Sequence, residues 1–339
     1  MNYDAILVTS FGGPERADDV MPFLENVLRA KNVPRERMLE VAEHYYHFGG
    51  KSPINDQNRQ LIAALDAELA QHGPRLPIYW GNRNWHPMLA DTLRRMKVDG
   101  VRRALAFVTS AYSSYSSCRQ YREDIARAQE LTGEGAPVVD KIRGYHNHPG
   151  FVEAVLDRLQ HALAKIREDQ REAAQVIYTA HSIPLAMAQV CDYEKQLKET
   201  GRLVAEKLGL SEWRLAYQSR SGPASEPWLE PDILDCLREI KARGDSPDVV
   251  IAPIGFVSDH MEIVFDLDTQ ARQLCGELGL RMVRAETVGT HSRFIRMIRQ
   301  LICERLDPGQ PRLALGGLGP RPDECAVDCC AMPRRPAAN

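Results

Sequence analysis

Short apolar, largely β-branched runs recur along the chain. Each is followed by a longer segment whose apolar positions fall three or four residues apart. The short runs read as eight strands: AILVT (5–9), PIYWG (77–81), ALAFVT (104–109), PVVDKI (137–142), QVIYTA (175–180), RLAYQS (214–219), DVVIAPI (248–254) and RMVRAE (281–286). They are apolar almost throughout rather than alternating, the pattern of strands covered on both faces. Between them the spacing is helical. FVEAVLDRLQHALAKI (151–166) places Val152, Val155, Leu159, Leu163 and Ile166 on one face, behind the helix-start signal HPG. SRFIRMIRQLICERL (292–306) is a further amphipathic helix, and GGLGPRPDE (316–324) leads from it into a tail.

Strand and helix alternate in two successive sets of about four strands. That order predicts an α/β fold of two doubly wound, Rossmann-like halves, each built on a parallel sheet. The turn formers of GYHNHPG put the join near residues 145–150. The expected division is a first half over 1–147, a second over 148–288, and a helix and tail over 289–339 that pack back on the first half. A chain of 339 residues is long enough for two such units, each burying a core.

Composition narrows the function. Lys and Arg number 43 against 46 Asp and Glu, so no polyanionic partner such as nucleic acid is expected. The opening MNYDAILVTSFGG is not a signal peptide, and no apolar stretch has the length of a membrane span. A soluble, cytoplasmic, monomeric protein is the expectation. In a reducing compartment eight cysteines do not read as a disulfide framework. Cys191, Cys236, Cys275 and Cys303 read as small hydrophobes.

Ligands in doubly wound folds sit beyond the carboxyl ends of the strands. The first strand leads into SFGGPE, which lacks the third glycine of a dinucleotide fingerprint and reads as a tight strand-to-helix turn. The fifth leads into HSIP, with His181 directly after the apolar run, and no G-x-S-x-G elbow makes Ser182 a nucleophile. The seventh leads into GFVSDHMEIVFDLD. On a helix there, Glu262, Asp266 and Gln270 share one face at i, i+4 and i+8. Such a row is ordinarily a solvated acidic face. Here it starts at a strand end, where it points into the cleft. An imidazole facing a carboxylate suits a divalent ion such as Fe²⁺, and equally suits proton transfer.

TAHSIPL (179–185), PIGFVSDHMEIVFDLD (253–268), HYYHFGGKSPI (44–54) and QSRSGPASEPWLEP (218–231) together resemble the ferrochelatases. The resemblance is to the actinobacterial type, among the coproporphyrin ferrochelatases, and runs from SFGGP to the C-terminal helix. It implies two Rossmann-like halves with a porphyrin cleft between them, and insertion of Fe²⁺ into coproporphyrin III in haem biosynthesis. The product would pass to the next haem-pathway enzyme. The rival readings are the same reaction on protoporphyrin IX, a cobalt chelatase of this fold, and a non-enzymatic porphyrin or haem carrier or iron–sulfur sensor built on it.

By position, the resemblance makes His181 proton acceptor and metal ligand with Glu262, and continues the acidic row at Asp266. Neutral Gln270 stands where that row would end. Tyr45, Ser52 and Tyr121 match contacts to the macrocycle or its propionates, and Phe11 occupies a position that is Tyr in some relatives. Met21, Phe23, Tyr112 and Tyr115 are candidates to line the ring, or plain core.

The tail sequence DECAVDCC gathers Cys325, Cys329 and Cys330, which need a fourth ligand for a Cys₄ zinc site or an iron–sulfur cluster. Their C-x₃-C-C spacing lacks the C-x₂-C pairs of a zinc ribbon. Some ferrochelatases carry a 2Fe–2S cluster whose fourth ligand comes from mid-chain. The resemblance places that ligand at Cys118 and implies a structural or sensing role for the cluster.

Overall fold

The computed structural model describes residues 2–29, 33–222 and 225–332. The first half runs β1 (Ala5–Ser10), α1 (Val20–Val27), α2 (Arg35–His47), α3 (Ile54–His72), β2 (Ile78–Asn82), α4 (Leu89–Val98), β3 (Arg103–Val108), α5 (Gln120–Thr132) and β4 (Val138–Lys141). The second runs α6 (Pro149–Leu163), β5 (Gln175–His181), α7 (Leu185–Ala188), α8 (Tyr193–Leu208), β6 (Arg214–Gln218) and α9 (Ile233–Arg243). It continues with β7 (Asp248–Ala252), α10 (Met261–Phe265), α11 (Arg272–Leu278), β8 (Arg281–Arg284) and α12 (Ser292–Leu306). All eight strands expected from the apolar runs are present, with ends shifted by one or two residues. Among the described residues no helix is long and apolar enough to cross a membrane.

Each half holds a four-stranded parallel sheet, ordered β2-β1-β3-β4 in the first and β6-β5-β7-β8 in the second. The two orders are the same, so the repeat legible in the strand–helix pattern is a repeat of topology. In each sheet the order reverses beside the first strand, and that switch point is where folds of this class bind ligands, beyond the strand ends. β1 and β7 are buried along their whole length, which is why their sequences do not alternate.

The largest buried cluster joins the halves, running from Ile6, Val8 and Leu65 through Phe151 to Tyr178, Val250 and Ile298. Three helix starts are set by imidazoles. His148, His260 and His291 each accept a backbone N–H through Nδ1 at the head of α6, α10 and α12. Arg143, at the crossing between halves, donates to both carboxylate oxygens of Glu304 at 2.7 and 2.9 Å and to the Leu313 carbonyl at 2.9 Å.

After α12 the chain crosses back over that join. Asn147 donates to the carbonyls of Leu315 and Gly319, and Arg321 pairs with Asp192 at 2.8 Å. Arg119 and Arg122 of the first half then donate to the carbonyls of Ala326, Val327 and Cys329.

Candidate active site

His181 is the last residue of β5, at the switch point of the second sheet. Its backbone is held tightly. Tyr193 Oη donates to its carbonyl at 3.0 Å, and the turn after β7 passes so close that a Cβ on Gly255 would lie 2.6 Å from Ala180 Cα. Nδ1 of His181 donates to the Ser182 carbonyl, which leaves Nε2 facing the cleft. There it meets Glu262 Oε2 at 3.6 Å. Burial works against an imidazolium at this position, but the Glu262 carboxylate outweighs it, aided by Asp266, and raises the His181 pKa to about 9.

A second imidazole approaches the same oxygen. His260 Nε2 lies 3.7 Å from Glu262 Oε2 while its Nδ1 caps α10, so the cap fixes the tautomer and aims an N–H at the carboxylate. Burial, with the neighbouring His181 charge, holds His260 below the ordinary imidazole value. Its place in DHME is visible in the sequence, but its aim depends on the cap and could not be read there.

The acidic row differs in its backbone from the regular helix its spacing predicts. α10 ends at Phe265, and Asp266–Ala271 is a π turn. Four α-helical steps overshoot a full turn by about 40°. Four steps of a π turn, whose hydrogen bonds reach i+5, fall short by roughly 30°. The two errors largely offset, bringing position 270 back to within about 10° of position 262 where a regular helix would have carried it to about 80°. Burial first, then the charge of Glu262, raises the Asp266 pKa to about 7, against stabilising hydrogen bonds from Ser219 and Gln218. Ser219 makes its bond from a left-handed backbone with φ of 60°. Asp259 and Asp268, also in this stretch, are both paired with Arg284 and stand outside the row.

Opposite lies the first half. Tyr45 is close enough to Glu262 for the carboxylate, after burial, to help push its phenol pKa up. Phe23 packs edge-on against Phe11, Tyr45 and Trp85, so these four rings form one wall. Phe11 is 36% exposed and is its outermost ring. Tyr121 is buried under the Arg83 guanidinium, which lies 4.5 Å from its ring and 5.7 Å from that of Phe11. Neither Trp85 nor Arg83 stands out in the sequence.

Ser52 is only 2% exposed, tucked where a Cβ on Gly13 would come within 2.8 Å of it. Tyr112 is core: it is buried and donates to the Ile254 carbonyl across the join. Half-buried Met21 packs on the α1–α2 cluster, and half-buried Tyr115 donates to Glu123.

The ferrochelatase family model matches residues 3–306. A ferrochelatase of Rhodopirellula baltica is 60% identical over 335 residues, covering 98% of this chain and 95% of that protein. This chain belongs to the ferrochelatase family. A coproporphyrin III ferrochelatase of Nocardia farcinica is 48% identical, with 100% of this chain and 99% of the relative covered. Among solved structures, the sirohydrochlorin chelatase SirB of Bacillus subtilis subspecies spizizenii, in complex with cobalt, matches with a TM-score of 0.54 at 11% identity. It covers 93% of this chain and 100% of its own, a likeness of fold.

In this ferrochelatase the tail returns its cysteines to the first half. Cys118 lies in a π turn, Tyr115–Arg119, and its thiol faces that of Cys325. Cys329 and Cys330 Sγ are 3.6 Å apart. The hydrogen bond from Cys325, reinforced by Lys141, lowers the Cys118 pKa to about 5 in spite of burial. Among the described residues no group of three or more His, Cys, Asp or Glu side chains is arranged to hold a single metal ion. The four thiols stand instead as two neighbouring pairs.

Proposed function

We propose that this protein inserts Fe²⁺ into coproporphyrin III, with His181 and Glu262 as the insertion site. The carrying observation is the His181–Glu262 pair, an imidazole Nε2 and a carboxylate 3.6 Å apart at the carboxyl end of β5. The choice of porphyrin is supported by relatives named coproporphyrin III ferrochelatases at 48% and 50% identity over essentially the whole chain.

Two pyrrole protons must leave the macrocycle as the metal enters. His181, with Nδ1–H committed to the Ser182 carbonyl, offers one lone pair, at Nε2. At neutral pH that site holds a proton paired to Glu262; an approaching dication disfavours the proton, which leaves through ionised Asp266 to solvent and frees the lone pair. Nε2 then accepts a pyrrole proton, and Glu262 stabilises the imidazolium. Asp266, with a pKa near neutrality, takes the proton onward along the row. The His260 N–H, aimed at Glu262, keeps the carboxylate turned toward His181. The wall of Phe11, Phe23, Tyr45 and Trp85 supplies the rigid apolar face against which a ring can be held.

We further propose that Cys118, Cys325, Cys329 and Cys330 hold a 2Fe–2S cluster, for which the paired thiols and the flanking Lys141, Arg119 and Arg122 are a fitting shell. The cluster would supply a redox-sensitive tie between tail and first half, and no step of insertion passes through it.

The test is anaerobic addition of Fe²⁺ and coproporphyrin III, followed by absorption. Wild type gives the metalloporphyrin spectrum; His181→Ala binds porphyrin within about threefold of wild type and leaves it metal-free. Metal insertion by His181→Ala at the wild-type rate overturns the assignment. Faster turnover of protoporphyrin IX than of coproporphyrin III overturns the choice of substrate.

A further inference from the structure

Helices α1 and α2 do not belong to either sheet's core. They pack on each other through a small cluster of their own, with Val20, Phe23, Leu24 and Ala42 buried at its centre. A satellite of that size can shift as a unit relative to the sheets it covers. α2 nevertheless reaches the second half. The His44 imidazole lies flat on the Phe265 ring, with centroids 3.7 Å apart and planes inclined by 14°. Tyr45, the next residue, is near enough to Glu262 for the carboxylate to help raise its phenol pKa.

Phe265 is the last residue of α10 and Glu262 lies three positions before it, so the two are neighbours on one face. α10 is only five residues long and runs straight into the π turn. A helix that short has no independent stability; its orientation comes from what packs on it. Met261 and Ile263 are its buried side chains, Ile263 within the core of the second half. On the outer side, which bears Glu262, the stack on His44 ties it across the cleft.

We propose that His44 is a positioning residue for metal insertion, clamping α10 through Phe265 so that Glu262 is held opposite His181. This rests on the reading of His181 and Glu262 as the insertion site. What the clamp needs is a flat ring at position 44, not its nitrogen atoms. The stacked arrangement brings the satellite helices, Tyr45 and the acidic row into register together, so the site is complete when α2 is seated on α10.

The experiment measures kcat and KM for Fe²⁺ and coproporphyrin III in His44→Gln, His44→Phe, Phe265→Leu and the double variant His44→Gln/Phe265→Leu. Porphyrin affinity is read separately by fluorescence quenching. His44→Gln keeps size and polarity but loses the ring. It and Phe265→Leu should each lower kcat about tenfold, the factor an aromatic stacking contact can supply, with porphyrin affinity within about threefold of wild type. His44→Phe should restore kcat to within about threefold, and the double variant should be no slower than the worse single one. Wild-type kcat in His44→Gln overturns the clamp, as does His44→Phe being no better than His44→Gln. A fall in kcat matched by an equal loss of porphyrin affinity also overturns it, since His44 would then be a macrocycle contact. If His181→Ala is inactive while the position-44 series is flat, the clamp fails and the insertion site stands. If His181→Ala inserts metal, the insertion reading fails and the clamp with it.

Discussion

Replacing Glu262 by Gln keeps the shape of the side chain and deletes its charge. In the native site that charge is the largest influence holding a proton on His181, working against burial. A rise from 6.5 to about 9 is the net result. At 1.36 kcal/mol per unit it corresponds to roughly 3 kcal/mol of preference for the charged pair. Glu262 is 48% exposed, so solvent screening brings the coupling down to roughly 1–2 kcal/mol. The Glu262→Gln variant should therefore lower the His181 pKa by at least about one unit, because burial then dominates. The assay is an NMR pH titration of the His181 imidazole in both proteins.

The same change should appear in stability. A histidine whose folded pKa is raised above 6.5 contributes stability that is fully present below pH 6.5 and is lost as pH rises through about 9. Wild type should thus be more stable than Glu262→Gln at pH 6, and the difference should close by pH 9.5. Insertion should fall by about a hundredfold or more, the range for losing a positioned proton-transfer group. An unchanged His181 pKa in Glu262→Gln, or a stability difference that grows with pH, would refute the reasoning.

Three further outcomes test other parts of the molecule. Arg143 and Glu304 are a nearly solvent-free pair, 1% and 5% exposed, so Arg143→Ala should destabilise by about 3–5 kcal/mol in chemical denaturation, whereas a loss under about 1 kcal/mol would mean the pair is solvated. Anaerobically purified protein should be brown with acid-labile sulfide, and Cys118→Ser should remove the colour; colourless protein with stoichiometric zinc would make the tail a zinc site. Ser52→Ala and Tyr121→Phe should weaken coproporphyrin binding by roughly 1.5–3 kcal/mol each if their hydroxyls reach propionates, measured by fluorescence quenching, and unchanged affinity in both would remove them from the site.

The eight apolar strand runs and the helical spacings between them were enough to determine the fold class, because burial of both faces of a parallel sheet leaves a continuous apolar signature. The proposed pair His181 and Glu262 was singled out in the sequence for a related reason. His181 closes β5 and Glu262 stands on the first helix after β7, and ligands in this fold class bind at the carboxyl ends of the strands. Residues whose roles depend on a partner distant in sequence were not legible. His44 and Phe265 are 221 positions apart, and nothing local marks either as half of a stack. His260 needed the cap of α10 to aim it, and Arg83 needed the nearby rings of Phe11 and Tyr121.

The π turn hides for another reason. The run Glu262, Asp266, Gln270 has the spacing of an ordinary helical face, and only backbone geometry shows that a regular helix would have let it drift. The shared core is the last such decision. Each half has its own sheet and its own repeat of the topology, yet Leu65 of the first and Tyr178 of the second lie in one buried cluster. Local sequence sets which residues avoid water. Which of them meet is fixed only when the chain closes on itself, since apolar burial has no direction and leaves the choice of partner to shape.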